Sequence, residues 1–133
     1  MQSIMKLEHI ALTISGQGEI NNFYQNILGF EQTKTFTLSK NLSGKIFDIF
    51  IDTPVFLMQK DKLVLEIFVY PDYVKQSLNH ICLSVKDRET LVAKAKTQNY
   101  DCIRIKREVF DLILIKDRSG NIFEMKESNK NRR

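Results

Sequence analysis

The 133-residue chain contains two histidines, His9 and His80. Imidazole is the commonest side-chain metal ligand, and both occupy one slot of a repeated phrase. Its copies are Leu7-Glu8-His9-Ile10-Ala11-Leu12-Thr13-Ile14 and Leu78-Asn79-His80-Ile81-Cys82-Leu83-Ser84-Val85, 71 residues apart, about half the chain. Each half also closes on a carboxylate amid bulky neighbours, in Val64-Leu65-Glu66-Ile67-Phe68 and in Ile122-Phe123-Glu124-Met125. Such a carboxylate is costly to desolvate unless a cation or donors compensate it. Two imidazoles and two carboxylates form an N2O2 set suited to Zn, Ni, Co, Mn or Fe(II). Taken singly, a strand histidine is more often a hydrogen-bonded structural residue, and a strand glutamate a partner for a cation such as Lys62 or Arg104. Duplication favours the joint reading.

These residues need strands and helices to position them. Each repeat phrase alternates apolar and smaller or polar residues at period two, the pattern of a half-buried strand. With Ile10, Leu12 and Ile14 turned inward, His9, Ala11 and Thr13 share the other face, as do His80, Cys82 and Ser84. Glu66 and Glu124 are expected on those same faces. Ile20, Phe23, Tyr24, Ile27 and Leu28 then form a helical stripe stopped by Gly29. In the second half Asp87 is a candidate cap for a shorter stripe of Leu91, Val92 and Ala95 ending near Asn99.

Three strand-like runs follow each helix: Glu31 to Leu38, Lys45 to Thr53 and Lys62 to Val69, then Asp101 to Lys106, Glu108 to Lys116 and Asn121 to Lys126. The turns are Ser39-Lys40-Asn41-Leu42-Ser43-Gly44 and Asp117-Arg118-Ser119-Gly120-Asn121. The reading is an α+β fold of two tandem βαβββ modules, residues 1–70 and 79–127, joined by a linker at 71–78 and followed by a disordered basic tail at 128–133. A four-stranded sheet covered by one helix leaves its second face bare, so the modules are expected to form a curved eight-stranded mixed sheet around a cleft.

Composition narrows the partners. At 43% apolar and 27% charged residues, the chain is an ordinary globular one, not a disordered one. Of the net charge of +4, +3 comes from the last eight residues, so the basic balance is that of a tail and not a nucleic-acid surface. The start, Met1 to Lys6, lacks the apolar core of a secretory signal, and no 18-residue apolar run occurs, so a cytoplasmic protein without membrane contact is expected. Cys82 and Cys102 fit reduced thiols in a reducing compartment.

Over residues 5 to 127 the chain resembles the vicinal oxygen chelate superfamily, which includes glyoxalase I, methylmalonyl-CoA epimerase, extradiol dioxygenases, fosfomycin-resistance thiol transferases and bleomycin-resistance proteins. The resemblance rests on the two His-containing phrases, on Phe23-Tyr24-Gln25-Asn26-Ile27-Leu28-Gly29-Phe30, and on Asp117-Arg118-Ser119-Gly120-Asn121-Ile122-Phe123-Glu124. It implies the glyoxalase-like fold, with His9, His80 and Glu124 as metal ligands and Glu66 as the fourth that glyoxalase I uses. That set points to a lyase or isomerase resembling lactoylglutathione lyase, with one divalent ion per site chelating vicinal substrate oxygens. A proton would move through an enediolate-like intermediate, with Glu124 as base and Glu66 as ligand or proton-transfer partner.

The alternatives are a metal-free drug-binding, resistance-type module, an Fe(II) dioxygenase and a metal-dependent thiol transferase. Thr13 stands where bacterial glyoxalase I places an arginine that contacts glutathione, which argues against glutathione here. Thr13, Arg104 and Lys106, with Arg107 beside them, are the candidate contacts to a small-molecule substrate, anionic or a thioester. A homodimer is expected, with the site formed either within each chain or between exchanged modules.

Overall fold

A computed structural model describes residues 5–73 and 77–128. Residues 74–76 of the expected linker and 129–133 of the expected tail lie outside it. The period-two runs form β1 (Ile10–Ile14), β2 (Glu31–Leu38), β4 (Leu63–Val69) and β5 (Ile81–Val85), then β6 (Cys102–Ile105), β7 (Leu112–Lys116) and β8 (Ile122–Glu127). Strand β7 starts later than expected because Glu108 to Phe110 form a bend. Asp87 caps α2 (Arg88–Thr97) by accepting from the Thr90 N–H at 3.2 Å.

One run departs from its expected conformation. Lys45 to Thr53 is rich in Ile and Phe and reads as a strand, yet its first residues end a helix, α1 (Lys40–Phe47), and β3 follows at Thr53–Lys60. The Ser39 hydroxyl accepts from the Leu42 N–H at 3.2 Å, so the expected turn is an N-cap, and Asp48 ends the helix at φ +59°. The true strand is the run Val55-Phe56-Leu57-Met58, which pairs with β2 on one side and β4 on the other. Phe56 and Met58 pair with Ile67 and Leu65 and turn into the shared core, and Val55 is buried as well, whereas Ile46, Phe47 and Phe50 stay exposed.

The eight strands form two four-stranded mixed sheets, in the orders β1-β4-β3-β2 and β5-β8-β7-β6. In both, the first and last strands of the module pair in parallel. One apolar core joins the halves. The stripe residues Ile20, Phe23, Tyr24, Ile27 and Leu28 are all buried, wound over Ile20–Gln25 as a π-helix with a Leu28 N–H to Phe23 carbonyl bond of 3.0 Å. The wider turn aims Phe23 and Tyr24 at the second module. Phe23 lies 4.9 Å from the Tyr100 ring and 5.6 Å from that of Phe123.

A polar clasp completes the junction. Tyr24 donates to Asp117 Oδ2 at 2.7 Å, Tyr100 donates to Glu19, and the Arg118 backbone N–H donates to Glu19 Oε1 at 2.8 Å. Asn121 Nδ2 donates to the Thr13 carbonyl at 2.7 Å, tying the β7–β8 turn to the edge of β1. Burial, followed by the Asp117 charge, holds the Tyr24 hydroxyl well above its ordinary 10, and burial and the Glu19 bond raise Tyr100. Both phenols therefore keep their protons longer in the folded chain than in the unfolded one. Their contribution is complete below pH 10 and declines as pH rises above it, by up to about 1.4 kcal/mol per pH unit for each group. Denaturant melts between pH 9 and 11.5 should show this slope, and Tyr24→Phe should make it shallower.

Candidate metal centre

Alternation decides where each candidate ligand points. On β4, Leu65 and Ile67 are buried in the shared core, so Glu66 between them faces the other side of the sheet; on β8, Phe123 and Met125 leave Glu124 in the same position. Parallel pairing sets Ala11 opposite Glu66 and Cys82 opposite Glu124, which puts each histidine, two residues earlier, at the carboxylate's flank. His9 Nε2 lies 3.5 Å from Glu66 Oε1, and His80 Nε2 lies 3.4 Å from Glu124 Oε1. Side-chain exposures are 45% and 20% in one pair, 45% and 19% in the other, so the two pairs are the same object built twice.

The donor chemistry of the second pair suits a cation. His80 Nδ1 lies 3.0 Å from the Leu78 carbonyl. A carbonyl only accepts, so Nδ1 carries the proton and, in the neutral ring, Nε2 turns a lone pair toward the carboxylate. Two ligands of one tetrahedral ion, each at about 2.1 Å, lie about 3.4 Å apart, the separation seen in both pairs. The residues fit a divalent ion two at a time. Among the described residues no three His, Cys, Asp or Glu side chains gather into a metal-holding group, so the four candidates do not converge within one chain.

The sequence model of the Glyoxalase/Bleomycin resistance protein/Dioxygenase superfamily matches residues 6–125, nearly the whole chain. The chain belongs to this superfamily. Solved structures of low identity share the superfamily fold. A glyoxalase family protein from Enterococcus faecalis superposes with a TM-score of 0.68 at 19% identity, covering 90% of this chain and 95% of that one. A mutant of the fosfomycin resistance protein FosX from Listeria monocytogenes, complexed with Mn(II) and 1S,2S-dihydroxypropylphosphonic acid, gives 0.71 at 18%, covering 96% of each chain. FosX from Mesorhizobium loti gives 0.70 at 12%, covering 96% and 95%. No curated protein matches at the level of sequence.

This superfamily member places its other candidate residues unequally. Thr13 lines one pocket beside Ala11 and Phe68 on the His9 face of β1, and a second at the seam between the modules, where β1 meets His80, Asn121 and Phe123. Arg104 is held between Glu89, at 2.5 Å, and Asp111, at 3.1 Å, and these two bonds raise its pKa further. Lys106 is exposed beyond the end of β6. The cations beside Glu124 are instead Arg88, Arg107 and Lys126, around a pocket of about 300 Å3. None of them forms an ion pair among the described residues, and Arg88 is held by the Asp111 and Met125 carbonyls. Lys126 was legible in principle, being two residues past Glu124 on one strand face. Arg88 and Arg107 come from the start of α2 and the loop after β6, which only the folded chain brings together.

Neither cysteine forms a disulfide among the described residues. Burial pushes the Cys102 thiol up, away from a reactive thiolate. No described helix is long and apolar enough to cross a membrane.

Proposed function

We propose that the protein is a divalent-metal-dependent lyase or isomerase whose site forms between two chains, His9 and Glu66 of one meeting His80 and Glu124 of the other. The mirrored pair of His–Glu contacts, each on the sheet face turned away from the core, is the observation that carries this reading. Leu7 and Leu78, two residues before the histidines, are 76% and 93% exposed. Bringing the two halves together covers both, and an interface supplies about 1.5–3 kcal/mol for each leucine fully buried.

When bound, the ion supplies Lewis acidity, polarising two adjacent substrate oxygens and so acidifying the neighbouring C–H. The protein supplies the rest. Glu124 turns one carboxylate oxygen to His80 and has a second with which to take that proton and return it to the adjacent carbon. Glu66 completes the ligand set or shares the proton. Arg107 and Lys126 orient an anionic substrate group beside Glu124.

Glu66→Gln tests the assignment: it should cut solvent-proton exchange into 2-oxo or thioester substrates by about 100-fold or more. The cationic pocket also favours a second reading, a resistance-type protein for a phosphonate such as the one seen with Listeria FosX. In that case fosfomycin would be turned over, or bound without metal, and Glu66→Gln would leave it unchanged.

A further inference from the structure

The duplication lets the surroundings of the two His–Glu pairs be compared position by position. Next to Glu66 on the shared face, the register brings Thr13 opposite Phe68; next to Glu124, the equivalent positions are Ser84 and Lys126. A phenyl ring in one half thus stands where the other half has an ammonium group. The helix α1, which has no counterpart in the second module, closes over the first. Its Phe47 meets Phe68 edge to face, with ring centroids 5.5 Å apart.

Beneath them lies a cavity of about 270 Å3 lined by Ala11, Thr13, Phe47, Ile49, Phe68 and Tyr70, with Ser43 and Thr53 in its wall. No charged side chain lines it. The Ser43 and Thr53 hydroxyls bond each other at 3.3 Å, so they make no demand on a guest. A strand rises about 3.3 Å per residue, which sets Ala11 and Phe68 roughly 7 Å along the face from His9 and Glu66.

We propose that this pocket takes an aryl or branched-alkyl arm of the substrate, whose adjacent oxygens lie at the His9–Glu66 pair. The inference deepens the metal-enzyme reading and rests on it for the position of the oxygens. A cavity of about 150 Å3 holds benzene, so a substituted ring fits. The substrate class is then a chelating oxygenated compound with one apolar arm, its anionic end falling to the Arg107 side.

Acetohydroxamate and phenylacetohydroxamate chelate through the same two oxygens and differ in the arm, so titrating both into the zinc-loaded protein isolates the pocket. The aryl compound should bind on the order of tenfold more tightly. Ala11→Leu, which fills the cavity from an exposed position, should bring the affinities of the two compounds together. Phe47→Ala, which removes a wall, should reduce it. Equal binding of the two compounds, or an advantage that survives Ala11→Leu, overturns the inference even where zinc binds. Indole added to the metal-free protein separates the two readings. Shifts of the Ala11, Thr13 and Phe68 amides support the pocket when zinc binding fails, and unmoved amides count against it.

Discussion

Replacing His80 with alanine should weaken divalent-metal binding by more than the roughly 10- to 100-fold that loss of an outer-shell partner costs, and activity should disappear with the metal. In the proposed site His80 would supply one of the two nitrogens, and its ring is already oriented by the Nδ1 contact to the Leu78 carbonyl. The imidazole is about half exposed, so its removal leaves no cavity in the core, and stability should change by no more than about 0.5 kcal/mol. Metal content after gel filtration and a calorimetric titration read the first effect; a thermal melt reads the second. Arg104→Gln is the control, because Arg104 is engaged by Glu89 and Asp111. Undiminished metal affinity in His80→Ala would remove the basis for any metal reaction.

Asp117→Ala should act on stability and not on the ligands. The Asp117 carboxylate is buried and accepts from four donors: the Ser119 and Asn121 backbone N–H groups on Oδ1, and the Tyr24 hydroxyl and Asn121 amide on Oδ2. Burial pushes its pKa up, while the Asn121 and Tyr24 bonds pull it down. Truncation strands a buried phenol and an amide that in turn holds β1, and each unsatisfied group costs about 1–3 kcal/mol. A loss of about 3–5 kcal/mol in unfolding free energy is expected. Tyr24→Phe, which keeps the ring against Phe123, should cost about 1–2 kcal/mol, and the double variant less than the sum. Additive effects would show that the two groups do not act as one clasp.

Much of this fold was legible because the chemistry is written twice. A histidine in the same slot of two alternating strands fixed the module length and the face, and the face fixed Glu66 and Glu124. The π-helical stripe was legible as helix from its apolar spacing; its winding was not, since that depends on Tyr24 reaching Asp117 in the other module. The third strand is displaced from its expected place because Ile46, Phe47, Ile49 and Ile51 mimic a strand. Yet Asp61, at φ +54° between Lys60 and Leu63, marks a tight hairpin turn that requires strands on both sides of it. Arg104 looks available in the sequence because alternation says nothing of Glu89 arriving from α2.

Convergence of the ligands was the part hardest to read. Period and repeat say which face a side chain takes, but whether two faces meet depends on how the modules pack. Here Phe23, Tyr24 and Phe123 fill the space between the sheets and turn both His–Glu pairs away from it. On the proposed reading, each pair is then a half-site that a second copy of the chain completes.

Mixing His9→Ala with His80→Ala chains, unfolded together and refolded, tests this directly. Each variant alone lacks one ligand in every site. In a mixed dimer both lesions fall in one site, and the other combines an intact His9–Glu66 half with an intact His80–Glu124 half. Half the dimers are mixed at equal input, so about a quarter of the wild-type metal sites should return, with activity in proportion. No recovery from a mixture that demonstrably forms mixed dimers would contradict a site shared between chains.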